Sequence, residues 1–228
     1  MTTICFDLDG TLLDPMEGIH DSLRFACEGM GIANPEPREI APYIGLDLES
    51  LFRALPGLSD DSRRKAAMSR FWFHFGEEGV FAQRVQEGAH LMLARLKRQG
   101  HRLFLVTGQP ATHARLALHH FDLNLIFDDV IGPCTREPWR SKREILETLA
   151  RDGALRSGGL MIGDRGDDIR GGEAHGLRTL GAAYGYGSRD ELESARAGVI
   201  MESIRDLDAW LAEVLTGPEI HDPFSRSE

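Results

Sequence analysis

Two carboxylates with one residue between them, Asp7 and Asp9, interrupt the apolar run Ile4-Cys5-Phe6 and are followed at once by Gly10 and Thr11. Strand interiors exclude unpaired charge because burying it is costly. Two acids at a strand's end, just before a glycine turn, therefore mark a site rather than packing. The pattern recurs along the chain. Leu103-Phe104-Leu105-Val106 runs into Thr107-Gly108, and Leu160-Met161-Ile162 runs into Gly163-Asp164, with Asp168 four residues on. Ligands of open α/β sheets bind outside the carboxyl ends of the strands, so these three ends are expected to converge at one edge. Four carboxylates crowded there repel one another unless a cation sits among them. Hard oxygen ligands of this kind suit Mg²⁺, which keeps waters and takes a phosphate oxygen. Thr107, with neighbouring backbone N–H groups such as that of Gly108, can hold phosphate oxygens. Lys142, at the start of a helix, is the candidate for an added point charge. The chemistry these residues point to is phosphoryl transfer.

The elements that must carry these residues alternate in type. Strands are expected over Thr3 to Leu8, Arg102 to Val106, Asp129 to Ile131, Leu160 to Ile162, Arg178 to Ala182 and Gly198 to Ile200. Between them lie helices over Gly88 to Gln99, Pro110 to His120, Ser141 to Arg151 and Asp167 to His175, and Ile204 to Leu215 closes the chain. That alternation implies βαβ units and a mainly parallel sheet. One block departs from it. Asp14-Pro15 reads as an N-cap with proline in the first turn, and the helix it starts runs to Gly31. Further helices follow over Glu39 to Ile44, Leu48 to Leu55 and Ser59 to Phe75, broken at Gly45, Pro56-Gly57 and Gly76. Residues 15–83 thus read as an all-helical insertion, a cap. Residues 1–14 and 84–216 form a discontinuous core, and residues 217–228 a loose, flexible tail.

Composition narrows the function classes. The 228 residues carry a net charge of -10, which argues against a nucleic-acid polymer as partner. Three cysteines, Cys5, Cys27 and Cys134, are odd in number and widely spaced, unlike a disulfide framework or zinc site. No segment approaches a membrane span, and no cleavable leader is evident. The expectation is a cytoplasmic protein without a membrane partner, a monomer or homodimer acting on a small molecule.

Taken in order, Phe6-Asp7-Leu8-Asp9-Gly10-Thr11-Leu12, Val106-Thr107-Gly108, Lys142 and Gly163-Asp164-Arg165-Gly166-Asp167-Asp168 resemble the four motifs of the haloacid dehalogenase-like (HAD) hydrolases. The resemblance covers nearly the whole chain. Residues 121–132 and 163–176 look like the phosphoglycolate phosphatase branch, and the helical insertion looks like its type-1 cap. It implies an α/β fold, a Rossmann-like parallel sheet flanked by helices. It also implies roles. Asp7 would attack phosphorus and form an aspartyl-phosphate, and Asp9 would move the proton. Asp7, Asp9 through its backbone carbonyl, and Asp164 would hold Mg²⁺, with Asp168 touching the ion or just behind it. Thr107 and Lys142 would bind the transferring phosphoryl group. A dehalogenase of the family lacks the second carboxylate, and a phosphonatase has a small residue there and a cap lysine. Phosphate-ester hydrolysis is favoured.

Blander readings stand beside these. An EF-hand needs a third Asp or Asn before its glycine, which Asp7 to Gly10 lacks. Gly163-Asp164 alone could be a simple turn, Arg165 a turn residue, and Asp167 a favourable charge on the first turn of its helix. Ser141 could be only an N-cap. Phe71, Trp72, Phe73 and Phe75 read as cap core or cap–core seam, and the histidines as core or surface. The substrate stays open between phosphoglycolate and a nucleoside monophosphate, because Tyr184-Gly185-Tyr186-Gly187-Ser188 and Glu191-Leu192 look like 5′-nucleotidases. Phosphosugar isomerisation of the β-phosphoglucomutase kind and a non-catalytic phosphate-binding scaffold are the rivals.

Overall fold

A computed structural model describes residues 1–134, 140–156 and 158–216. The expected tail over residues 217–228 lies outside them. Six strands form one parallel sheet: β1 (Thr3–Phe6), β4 (Arg102–Val106), β5 (Asp129–Ile131), β6 (Leu160–Gly163), β7 (Arg178–Ala182) and β8 (Val199–Met201), ordered β5-β4-β1-β6-β7-β8. Two very short strands, β2 (Leu13–Asp14) and β3 (Arg84–Val85), pair antiparallel apart from it. The β1 strand is central, with Phe6 opposite both Leu105 of β4 and Ile162 of β6. A strand buried on both faces reads as an unbroken apolar run, and strand periodicity divides β1 between two layers. Ile4 and Phe6 join Leu103 and Leu105 in the larger apolar cluster. Cys5 joins Phe104, Val106 and Met161 in the other.

Helices α5 (Ala89–Arg98), α6 (Ala111–His120) and α10 (Ile204–Thr216) supply Met92, Leu93, Leu118, Leu207 and Leu211 to the first layer. The second is covered by α7 (Lys142–Arg151) through Ile145, Leu146 and Leu149. Helices α8 (Gly166–Ala174) and α9 (Arg189–Ser194) complete the core. The Rossmann-like α/β architecture is therefore present, with every connection between sheet neighbours a crossover.

Between β2 and β3 the chain is helical: α1 (Met16–Glu28), α2 (Pro37–Ile40), a 3₁₀ turn at Ala41–Tyr43, α3 (Leu48–Ala54), α4 (Asp61–Glu77) and a 3₁₀ turn at Gly79–Phe81. Helix α1 packs along α4, and Phe71 stacks on Phe75 while meeting Phe52 edge-on. Both ends of this block meet at the β2–β3 pair, so its two connections to the rest of the chain lie side by side.

Several expectations need correction. The first strand stops at Phe6, freeing Asp7 and Leu8 for the turn. Pro15, not Asp14, is the N-cap of α1, and the Asp14 carboxylate accepts from the Met16 N–H at 3.1 Å. Gly76 does not end α4, which runs on to Glu77. A glycine there leaves room for the opposing helix: a Cβ would lie 3.0 Å from the His113 ring. Phe73 is 65% exposed and belongs to neither cap core nor seam. His113 is buried at the seam, with Trp72 and Phe75 of α4 against its ring. The β2–β3 pair and α9 had no counterpart in the sequence reading.

Candidate active site

Asp7 follows β1 directly, and its N–H donates to the Ile162 carbonyl at 2.9 Å. This extra rung of pairing fixes the buried Asp7 carboxylate at the middle of the sheet's carboxyl edge. The chain then turns through Gly10, whose φ of +84° favours glycine. A Cβ there would sit 2.2 Å from Asp164 Oδ2, so the turn also needs glycine for space.

Asp7, Asp164 and Asp168 come together. Each offers an oxygen within 4.8 Å of the others, and all three residues are buried. Lys142, in the first turn of α7, reaches the same cluster: its Nζ donates to Asp7 Oδ1 at 2.6 Å and to Asp168 Oδ1 at 2.5 Å. Ser141 does cap α7, in a reciprocal capping box with Glu144. That cap and the catalytic reading of Lys142 are compatible, because the cap sets where the lysine begins. Asp167 corrects the sequence reading more directly. Its Oδ2 accepts the backbone N–H of Lys142 at 2.8 Å, so it fastens the start of α7 to α8 instead of serving only its own helix.

Thr107 follows β4 directly, with its N–H on the Ile131 carbonyl and its Oγ1 accepting from the Gln109 N–H at 3.1 Å. The hydroxyl proton is thereby left to be donated elsewhere. Asp9 stands apart from the three clustered carboxylates. Its oxygens face the Gln109 side-chain amide at 3.3 and 3.4 Å. Gln109 escaped the sequence reading, since a glutamine two residues past a strand end carries no distinguishing signal.

Burial raises Asp9 to about 7, and the neighbouring Asp7 charge adds to the rise against the pull of Lys142 and the Gln109 amide. Asp164 is raised well above the ordinary carboxylate range by burial and by repulsion from Asp7 and Asp168. Asp168 is raised as well, because desolvation outweighs its ion pair with Lys142. Burial alone would depress the Lys142 ammonium, yet Asp168 and Asp7 together hold it above the usual lysine range. Among the described residues, one cation against three buried acids leaves the cluster short of positive charge.

A second observation agrees. Asp164 Oδ2 accepts the Tyr186 N–H at 2.7 Å, whereas the buried Oδ1 has no hydrogen-bond partner among the described residues. An orphaned buried carboxylate oxygen among two further carboxylates fits a divalent cation with oxygen ligands. The residues present suit Mg²⁺.

Above the cluster lies a cavity of about 120 Å³, with Asp7, Asp9, Thr107 and Gly108 on its floor. Its other wall comes from the helical block between β2 and β3 and is largely apolar, with Ile19, Leu51, Met68, Phe71, Trp72 and Phe75 among the contributing side chains and Asp47 the one acid. Among the described residues no helix is long and apolar enough to cross a membrane.

Residues 4–182 match the family model of the haloacid dehalogenase-like hydrolases. The chain belongs to this family. Among curated relatives it is 34% identical over 192 residues to a Pseudomonas aeruginosa protein named 5′-nucleotidase, covering 84% of this chain and 86% of that one. A phosphoglycolate phosphatase of Aliivibrio fischeri is 28% identical over 92% of this chain and 96% of its own. Among solved structures, a predicted phosphatase from Clostridium acetobutylicum superposes with a TM-score of 0.84 at 28% identity, over 93% of this chain and 98% of that one. The chain is a phosphoric monoester hydrolase of this family.

Proposed function

We propose that the protein hydrolyses a small phosphate monoester with Mg²⁺ through an aspartyl-phosphate on Asp7, and that a nucleoside monophosphate suits it better than phosphoglycolate. The observation that carries the reaction is the pairing of a buried Asp7, held by Lys142, with an Asp9 that faces the cavity.

In the first half-reaction an Asp7 oxygen attacks phosphorus and the bond to the ester oxygen breaks. Asp9 gives that oxygen a proton, so the alcohol leaves neutral. In the second, Asp9 takes a proton from a water that attacks the same phosphorus, and the bond to Asp7 breaks. A pKa of about 7 lets Asp9 serve as acid and then as base near neutral pH. Thr107 donates its hydroxyl proton, and Gly108 its N–H, to the phosphoryl oxygens, and Lys142 holds the Asp7 carboxylate in line. Asp7, Asp164 and the backbone carbonyl of Asp9 would hold Mg²⁺ with Asp168 beside them. When bound, the ion supplies the positive charge that offsets repulsion between these acids and an anionic ester.

The apolar cap wall supports the substrate preference. Flat aromatic faces such as Trp72 and Tyr43 suit a nucleobase, whereas phosphoglycolate would bring a second anion to a wall that already carries Asp47. The test is phosphate release from adenosine and uridine monophosphates, phosphoglycolate and p-nitrophenyl phosphate, each with Mg²⁺ and with chelator. Release that needs Mg²⁺ and favours the nucleotides is expected. Absence of turnover on all four would overturn the catalytic reading, and a preference for phosphoglycolate would overturn the substrate assignment alone.

A further inference from the structure

Arg165 follows Asp164 directly and is only 6% exposed, yet its side chain leaves the core. Its Nη1 donates to two cap carbonyls, Ile44 at 3.1 Å and Pro42 at 3.3 Å, and lies 3.5 Å from the Tyr186 carbonyl. Its Nε donates to Glu191 Oε1 at 3.1 Å. That carboxylate also accepts the Gly166 N–H at 2.7 Å, so the backbone of α8 fixes Glu191 before it holds the arginine. Meanwhile the Arg165 N–H donates to Asp168 Oδ2 at 3.0 Å. One residue therefore has its main chain on the carboxylate cluster and its guanidinium on the cap.

The cap side is built to meet it. Gly45 has φ of +78°, and a Cβ there would lie 3.0 Å from Arg165 Cγ. Ile44 and Gly45 also line the cavity. The loop that shapes one side of the substrate space is thus gripped from behind by a core side chain. Only a forked, permanently charged donor can serve Glu191 and the two carbonyls together, which a lysine cannot do.

We propose that Arg165 is a latch that holds the cap closed over the site, and so a positioning residue rather than a catalytic one. Moving the Pro42–Leu46 loop off the core breaks its two hydrogen bonds to the guanidinium. The latch then sets what fraction of the protein is closed and ready to bind, and apparent affinity scales with that fraction. The kinetic part rests on the phosphatase reading; the closure part does not.

The experiment pairs steady-state kinetics on p-nitrophenyl phosphate with Mg²⁺ and hydrogen exchange of the full chain, for Arg165→Met, Glu191→Gln and, from the opposite side, Gly45→Ala. Arg165→Met is expected to raise KM on the order of tenfold, the ordinary weight of a charge-assisted hydrogen bond, with a much smaller change in kcat. Exchange at Tyr43 to Leu46 should speed up while β6 keeps its protection, and Arg165→Lys should fall between wild type and Arg165→Met. Loop exchange equal to wild type in Arg165→Met would overturn the latch. So would a fall in kcat at constant KM with loss of protection in β6, which marks a purely structural role beside Asp164. If Arg165→Met does not fold, the same readouts on Gly45→Ala and Glu191→Gln decide. If the wild type turns over nothing, the proposed function fails and the exchange arm still judges the latch.

Discussion

The floor and the roof of the cavity are built on opposite plans. The floor is made of polar and charged residues at strand ends and helix starts, each constrained by others: Lys142 answers Asp7 and Asp168, Asp167 fixes Lys142, and Tyr186 fixes Asp164. Changing one leaves a buried charge without its partner, which is expensive. The roof is largely apolar, from Ile19, Leu51, Met68 and Trp72, with Asp47 the exception, and apolar packing tolerates exchange at constant volume. The difference explains why the reaction is written in residue types and the substrate in shape.

The largest effect is expected from loss of Asp7, the proposed nucleophile. Asp7→Asn should lower kcat on p-nitrophenyl phosphate on the order of 10⁴-fold or more, as loss of an attacking group does in other enzymes, while the fold persists by circular dichroism. Lys142→Met should cost both activity and stability, about 3–5 kcal/mol by denaturant titration, because Asp7 and Asp168 lose their shared cation. Mg²⁺ should raise Tm in the wild type by mass action and fail to do so in Asp164→Asn, if that orphaned oxygen holds the ion.

Changes to the roof should be smaller and selective. Trp72→Leu keeps the site apolar but removes volume and a flat face. It should lower kcat/KM for a nucleoside monophosphate about tenfold and leave acetyl phosphate, whose leaving group is too small to reach the cap, nearly unchanged. An equal loss on both would erase the distinction between floor and roof. The seam offers the mildest test. Burial holds the His113 imidazole below its ordinary range, so the unfolded chain takes up that proton first as pH falls. The stabilising contribution is complete above about pH 6.5 and is lost as pH drops below it. Tm should therefore decline less between pH 7.5 and 5.5 in His113→Leu than in the wild type.

Legibility followed the same division. Strands β4, β5 and β7 could be delimited because buried parallel strands are apolar runs between turn residues. Asp7, Asp9, Thr107, Asp164 and Asp168 stood out because acids and hydroxyls at such ends oppose packing. The two-residue strands β2 and β3 have no periodicity to read, since their pairing is made by residues about 70 apart in sequence. Gly76 misled because helix propensity carries no knowledge of the His113 ring across the seam. Arg165 looked like a turn residue and Asp167 like a charge on the first turn of its helix, and only their partners in other elements reveal their work. Gln109 is legible only once Asp9 is placed beside it.

That Asp7 carries the phosphoryl group can be tested by quenching the enzyme during turnover, reducing with borohydride and sequencing its peptides by mass spectrometry. An acyl phosphate on Asp7 would be reduced to the alcohol, converting that one residue to homoserine, and this is the predicted result. Turnover with no modification at Asp7, or with the modification on another residue, would contradict it.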